Sequence, residues 1–168
     1  TPVALAALLY YLPHTTLVMA ALYLLADQLN LRRPAGDSLR AGGVKDTRLA
    51  LLFVVAAILA AGLPPSAGFL AKLWLLQGLP YAAPGWWLAA VLLAALLSMI
   101  ALARAGSALF WQAAVEPLKP APVGSGMPIA ILLALAVVAA LGAAPLAAFC
   151  QRTAAQLLQA ASYTELIR

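Results

Sequence analysis

Charge is what this sequence has least of. Of its 168 residues, 9% are Asp, Glu, Lys or Arg and 65% are apolar, where a soluble domain carries about 25% charged residues. With a mean hydropathy of +1.00, that scarcity excludes an ordinary soluble fold. Acidic residues number only five, and no long hydrophobic stretch contains one, because Asp27 and Glu116 stand at stretch ends. The spans therefore hold no carboxylate pair or carboxylate cage. One cysteine, Cys150, excludes an internal disulfide and a cysteine-based metal site. Its expected role is small apolar packing at a helix end. Signatures of hydrolases, kinases and dinucleotide-binding enzymes are missing, and neither a cofactor nor a metal site is expected. The net charge of +5 comes from scattered basic residues without aromatic interleaving, so no nucleic-acid partner is implied.

What is present is length in apolar runs. Four stretches of about 20 residues or more stand out, each long enough to cross a hydrocarbon core about 30 Å thick. They run from about Pro2 to Ala26, from Leu49 to Leu79, from Trp86 to Trp111 and from Pro128 to Phe149. Alanine and leucine dominate them, which favours helices. A barrel would need strands of about ten residues alternating in polarity, and none occur. The expectation is an all-α, polytopic transmembrane bundle with one discontinuous helix and membrane lipid around it. The chain opens without methionine and is apolar at once, with no signal-peptide pattern. It is expected to be one piece, 1–168, of a single larger membrane domain.

The second stretch carries the sharpest signal. From Leu49 to Trp87, Lys72 is the only ionisable group besides Tyr81. A lysine at the centre of a membrane helix costs roughly 3 kcal/mol on insertion scales, so it marks a task or a partner. Eight residues earlier stands Pro64-Pro65, flanked by Gly62 and Gly68. Two missing N–H donors and a clashing ring stop a regular helix there. Broken backbone at membrane depth survives only under a cover of protein or water. A break beside a buried lysine reads as an ion path, against the blander reading of a turn between two spans with a snorkelling lysine. At 1.5 Å per residue each half reaches only about 20 Å, which favours one discontinuous span over two short ones.

Arg32, Arg33, Arg40, Lys45 and Arg48 crowd the loop before this stretch and place it in the cytoplasm by the positive-inside rule. Trp86-Trp87 would then mark the outer interface. Arg104 lies near the cytoplasmic end of the third stretch, where it snorkels or contacts lipid or a partner. The fourth stretch has no ionisable residue, and its small side chains suit a peripheral helix. The tail after it places Ala155, Leu158, Ala161 and Leu166 near one face that could lie along the membrane surface.

The segment GLPPSAGFLAKLWLL resembles the G-(I/L)-P-P-x-x-G-F-x-x-K segment of the antiporter-like subunits shared by respiratory complex I and Mrp-type cation/proton antiporters. LYYLPHTTLVMAALYLLADQL is similar to the histidine-bearing helix of the same family. IALARAGSALFWQ resembles the R-x-G-S-x-x-F-W stretch of the Mrp D-type subunit, sometimes labelled the Pha type, and AGGVKD its G-G-L-x-K turn. Together they cover almost the whole chain and match the C-terminal third of such a subunit. The resemblance implies that Lys72 exchanges protons on the broken helix and that His14 belongs to the central polar axis. Complex I subunits often carry a lysine four residues after that histidine; here the position is Val18. That departure points to the Mrp D type.

Chemistry supports the same residues independently. Desolvation disfavours a charged amine, as a group that loads and releases a proton requires, and an unperturbed imidazole titrates at about 6.5. Pro13 frees a carbonyl beside His14 for water or a hydroxyl, and Thr15 and Thr16 could join the relay. The alternative for His14 is a core histidine satisfied by such a carbonyl. The expected function is a subunit of a multisubunit Na⁺ or K⁺/H⁺ antiporter, a transporter rather than an enzyme, in the cell inner membrane with other subunits as partners. The acidic member of the ion path would come from elsewhere in the complex. The alternative is a proton-pumping subunit of an NADH:quinone oxidoreductase or a membrane-bound hydrogenase.

Overall fold

In a computed structural model, residues 1–32, 46–64, 66–79, 85–111 and 126–165 are described, and among them every regular element is a helix. The longest, α1 (Pro2–Leu31), runs unbroken through Pro13. Its buried positions Ala7, Tyr10, His14, Val18, Ala21, Leu25 and Leu29 recur three and four residues apart, which lays one continuous stripe along the helix. That stripe makes α1 the axis of the bundle. It packs against α2 (Thr47–Ala61), α3 (Ala67–Gln77), α5 (Met127–Leu141) and α6 (Ala143–Glu165).

The second apolar stretch is interrupted where expected, with helix to Ala61 and again from Ala67. Its two halves follow α1 end to end in the opposite direction. Asp46, ahead of α2, pairs with Arg32 at the end of α1. The break faces His14 midway along α1. Beyond α3, Gly78 lies against Ala4 and accepts a hydrogen bond from Thr1 at the start of α1. The described residues between 46 and 78 thus travel the length of α1 once, as two shorter helices separated by the break.

Local chemistry explains the break. Gly62 takes the left-handed conformation at φ 71°, which glycine adopts without steric cost. It allows the Leu63 N–H to reach the Ile58 carbonyl and the Gly62 N–H to reach that of Leu59, each at 3.2 Å. This is a Schellman ending for α2. Ser66 then caps α3, its hydroxyl accepting from the Phe69 N–H at 3.2 Å. Pro65 lies outside the described residues, as do Arg33, Arg40, Lys45 and Tyr81.

Two expectations need correction. The fourth stretch is not one straight span, because α5 ends at Leu141 and α6 leaves it at 79°. Gly142, at the bend, and Pro145, inside the first turn of α6, punctuate it. Nor is that stretch peripheral. Ile129, Leu133 and Ala136 of α5 join Val18, Leu25, Leu49 and Phe53 in the main core, because small and apolar side chains allow close packing on α1 and α2. The peripheral helix is α4 (Trp86–Gly106), which buries only Gly106. It touches α2 near its C-terminal end, where a β-carbon on Gly106 would lie 2.7 Å from the Phe53 ring; a π-helical turn, Ser107–Trp111, continues from there. In α6 the buried residues are Ala147, Cys150 and Ala154, while Ala155 and Leu158 point away from the bundle. The side chain of Ala161 and the whole of Leu166 lie outside the described residues. By length and composition α1 and α4 with its π turn can each cross a membrane, as can the bent pair α5–α6 if it forms one span.

Candidate functional site: the carbonyl end of a broken helix

A helix that stops inside a protein leaves its last carbonyls without the N–H groups of a next turn, and with them the negative end of the helix dipole. In α2 the Ile58 and Leu59 carbonyls are met by the Schellman N–H groups. Two titratable side chains from other helices reach the same turn. His14 of α1 donates from Nε2 to the Leu59 carbonyl at 3.2 Å, and Lys72 of α3 donates from Nζ to the Ala61 carbonyl at 2.9 Å. The two sequence-derived candidates are thus brought to carbonyls two residues apart.

Glycines make room for both groups. A β-carbon on Gly68 would stand 2.9 Å from His14 Nε2, and one on Gly62 would stand 2.7 Å from Lys72 Nζ. The Cα of Gly62 lies 3.6 Å from that same Gly68 β-carbon position, so the four residues form one contiguous group. Gly62 therefore gives access in addition to ending α2, whereas Gly68, expected at the break, lies inside the first turn of α3 and gives access alone.

The tautomer of His14 follows from its partner. A carbonyl can only accept, so Nε2 carries the proton and Nδ1 the lone pair of the neutral ring. Nδ1 is buried and has no hydrogen-bond partner among the described residues, in a side chain 2% exposed. It is the atom at which the neutral ring can take up a proton. The carbonyl that satisfies His14 belongs to α2, whereas the one freed in its own helix by Pro13 is that of Leu9. Thr16 donates to the Leu12 carbonyl at 2.9 Å and faces outward.

Lys72 is half-buried and lines two clefts. One, of about 210 Å³, lies between α1, α3 and α4 and includes Tyr11. The other, of about 250 Å³, opens over Gly62 and Pro64 beneath α4. Arg104 does not join this group: it is exposed in the last turn of α4. Val18 is buried in the core one turn beyond His14, so that position adds no titratable group.

One residue was missed by sequence reasoning. Tyr10, 1% exposed, donates its hydroxyl to the Ala139 carbonyl at 3.3 Å. That carbonyl lies in the last turn of α5, just before the Gly142 bend. The Tyr10 ring also packs against Trp74 of α3 with centroids 5.0 Å apart. Tyr10 and His14 are four residues apart on one face of α1, and each ties down the carbonyl end of a different interrupted helix. The signal available was the Gly142…Pro145 punctuation, together with a tyrosine one turn before the histidine.

The described residues form an apolar helical bundle in which two titratable side chains converge on the carbonyl end of a discontinuous helix, the composition and architecture of a membrane protein. A family model described as NADH:quinone oxidoreductase/Mrp antiporter, TM, matches residues 3–98, and the chain belongs to that family. It is 29% identical over 195 residues to the D subunit of a probable K⁺/H⁺ antiporter of Rhizobium meliloti (strain 1021), an alignment covering 97% of the chain and 36% of that protein. It is 31% identical over 173 residues to the D subunit of a Na⁺/H⁺ antiporter of Alkalihalophilus pseudofirmus, covering 99% of the chain and 35% of that protein. Identity to the subunit of the same name from Bacillus subtilis is 29% over 173 residues, with the same coverage. The chain thus spans about a third of the length of the curated relatives it matches.

Proposed function

We propose that this chain is part of a membrane subunit of a multisubunit monovalent cation/proton antiporter, and that His14 and Lys72 carry protons across the interrupted middle of the bundle. The observation that supports this most directly is their convergence on the Leu59 and Ala61 carbonyls of one helix end. Neither residue makes an ion pair with a carboxylate among the described residues, so each can change protonation without breaking a salt bridge. The names of the relatives support exchange of Na⁺ or K⁺ for H⁺ and assembly with other subunits. The apolar helices support a place in the cell inner membrane with several spans and lipid contact. The family also includes NADH:quinone oxidoreductase subunits; the apolar, buried Val18 one turn beyond His14 favours the antiporter.

The test is exchange in vesicles containing the complete complex, read as collapse of ΔpH on adding Na⁺ or K⁺, with assembly checked separately. Lys72→Gln removes the titratable group at similar length and should abolish most exchange. Lys72→Arg keeps the charge but cannot release a proton near neutral pH, so it should fail too. Near-normal exchange by an assembled Lys72→Arg complex would overturn the proton role.

A further inference from the structure

α3 is only 11 residues long, and the turn at Gly62 separates its hydrogen-bond ladder from that of α2. The backbone therefore leaves the rotation of α3 about its own axis to side-chain contacts. Its buried residues are Ala67, Gly68 and Ala71, which are too small to interlock with a neighbour. Leu70 and Trp74 are the large side chains that α3 adds to the cluster around Tyr10, Ala6 and Cys150. Trp74 meets a ring that is itself fixed. Tyr10 is 1% exposed, its ring centroid lies 5.0 Å from that of Trp74, and its hydroxyl donates to the Ala139 carbonyl of α5 at 3.3 Å.

Trp74 and Lys72 stand two residues apart, so at 3.6 residues per turn they leave α3 on nearly opposite sides. Trp74 reaches Tyr10 of α1, while Lys72 reaches back to the Ala61 carbonyl of α2. A rotation of α3 moves both at once. The Lys72 hydrogen bond, at 2.9 Å, has little slack, because such a bond is lost beyond about 3.5 Å.

We propose that Tyr10 is a positioning residue for Lys72. Its ring, anchored through the hydroxyl on α5, holds Trp74 and so sets the rotation of α3 that keeps Lys72 on the Ala61 carbonyl. The end of α5, beside the Gly142 bend, thereby becomes part of the support of the lysine. The inference rests on the proton role given to Lys72 above and adds the residue that aims it. Tyr10 itself exchanges no proton here; it acts through Trp74.

The test reads the Lys72 amine directly. The complete complex is treated with a membrane-permeant acid anhydride at fixed pH and ionic strength. Acylation of the Lys72 peptide is followed by mass spectrometry relative to Lys45 and Lys119. In the wild type the hydrogen bond to Ala61 protects the amine. Tyr10→Leu and Trp74→Leu keep much of the apolar volume but remove the ring contact. Each should raise the Lys72 ratio about fivefold, the factor that one lost hydrogen bond allows, and each should lower the initial exchange rate. The double variant should label little faster than the more reactive single one, because both changes act on one contact. Tyr10→Phe keeps the ring and loses its anchor, so it should fall between the wild type and Tyr10→Leu. Leu25→Ala is the control, since Leu25 is 1% exposed in the other core cluster, which contains no residue of α3. It destabilises the bundle by emptying a core position and should leave the Lys72 ratio near the wild-type value. A Tyr10→Leu complex whose Lys72 ratio rises no more than that of Leu25→Ala overturns the proposal. A Phe variant that labels like the wild type overturns the link to α5. Normal exchange by Lys72→Arg overturns the proton reading alone, because labelling decides the aim of the amine without reference to exchange.

Discussion

Lys72 holds its ammonium 2.7 Å from the point where a β-carbon on Gly62 would stand. The two residues are ten apart in sequence and on opposite sides of a helix break, so the glycine sets both the turn and the space for the charge. These two roles can be separated. Gly62→Ala should cost roughly 1 to 2 kcal/mol in stability, because alanine is strained at a left-handed φ. Gly62→Asn tolerates that φ far better, yet it also places a β-carbon against Nζ. The Asn variant should therefore melt closer to the wild type than the Ala variant while exchanging cations about as poorly. An Asn variant with full exchange would show that the position of Lys72 is not critical.

Gly68 stands in the same relation to His14. A methyl group there would lie 2.9 Å from Nε2 and must push the ring off the Leu59 carbonyl. Gly68→Ala should lower exchange, and His14→Ala should lower it by a similar factor through the same interaction. Because both changes act on one contact, the double variant should be little worse than the poorer single one. Strictly additive losses in initial exchange rate would mean that the two residues act separately.

How much of this was legible in the sequence depends on the range of the signal. The break at Gly62–Gly68 is a local matter of missing N–H groups and a left-handed glycine, so composition alone located it. The isolation of Lys72 and His14 in apolar runs marked them as costly, and cost implies a partner. What the sequence did not disclose was the partner itself. Both side chains donate to backbone carbonyls, which every residue has and no residue type advertises. The role of α5 was misjudged because an absence of polar groups fits a core-packing helix and a lipid-facing helix equally well. The same ambiguity hid α4, whose sequence looks no more exposed than that of α5.

Tyr10 offers a third measurement. Its hydroxyl satisfies the Ala139 carbonyl at the second interruption, and its ring lies on Trp74, two residues from Lys72. Tyr10→Phe keeps the ring and removes one hydrogen bond, at a cost of about 1 kcal/mol. Tyr10→Ala empties a buried ring site and should cost roughly 3 to 5 kcal/mol. Thermal unfolding of the assembled complex should rank the wild type, Phe and Ala in that order. A Phe variant as unstable as the Ala variant would assign the whole effect to the hydroxyl and none to the Trp74 contact.

The last prediction concerns the end of the bundle where α1 meets α2, outside the apolar core. Asp46 accepts hydrogen bonds from the Arg48 and Leu49 N–H groups at 2.9 and 3.2 Å and pairs with Arg32. Burial alone would raise its carboxyl, but the Arg32 guanidinium and the two N–H donors outweigh burial and hold it below its ordinary value. A carboxyl depressed in the folded state adds stability that is fully present above its unfolded value of about 3.9. That stability is lost as pH falls through the folded value. Asp46→Asn keeps a good capping side chain but removes the charge. It should therefore destabilise the α1–α2 junction near pH 7, and the gap from wild type should begin to close as the pH drops below about 4 and vanish once it passes the lower folded value, where the native carboxyl is itself neutralised. Melting of both complexes in detergent between neutral and acidic pH reads this directly. A gap that stays constant across the range would show that Asp46 contributes through its hydrogen bonds alone and that its charge adds nothing to the junction with Arg32.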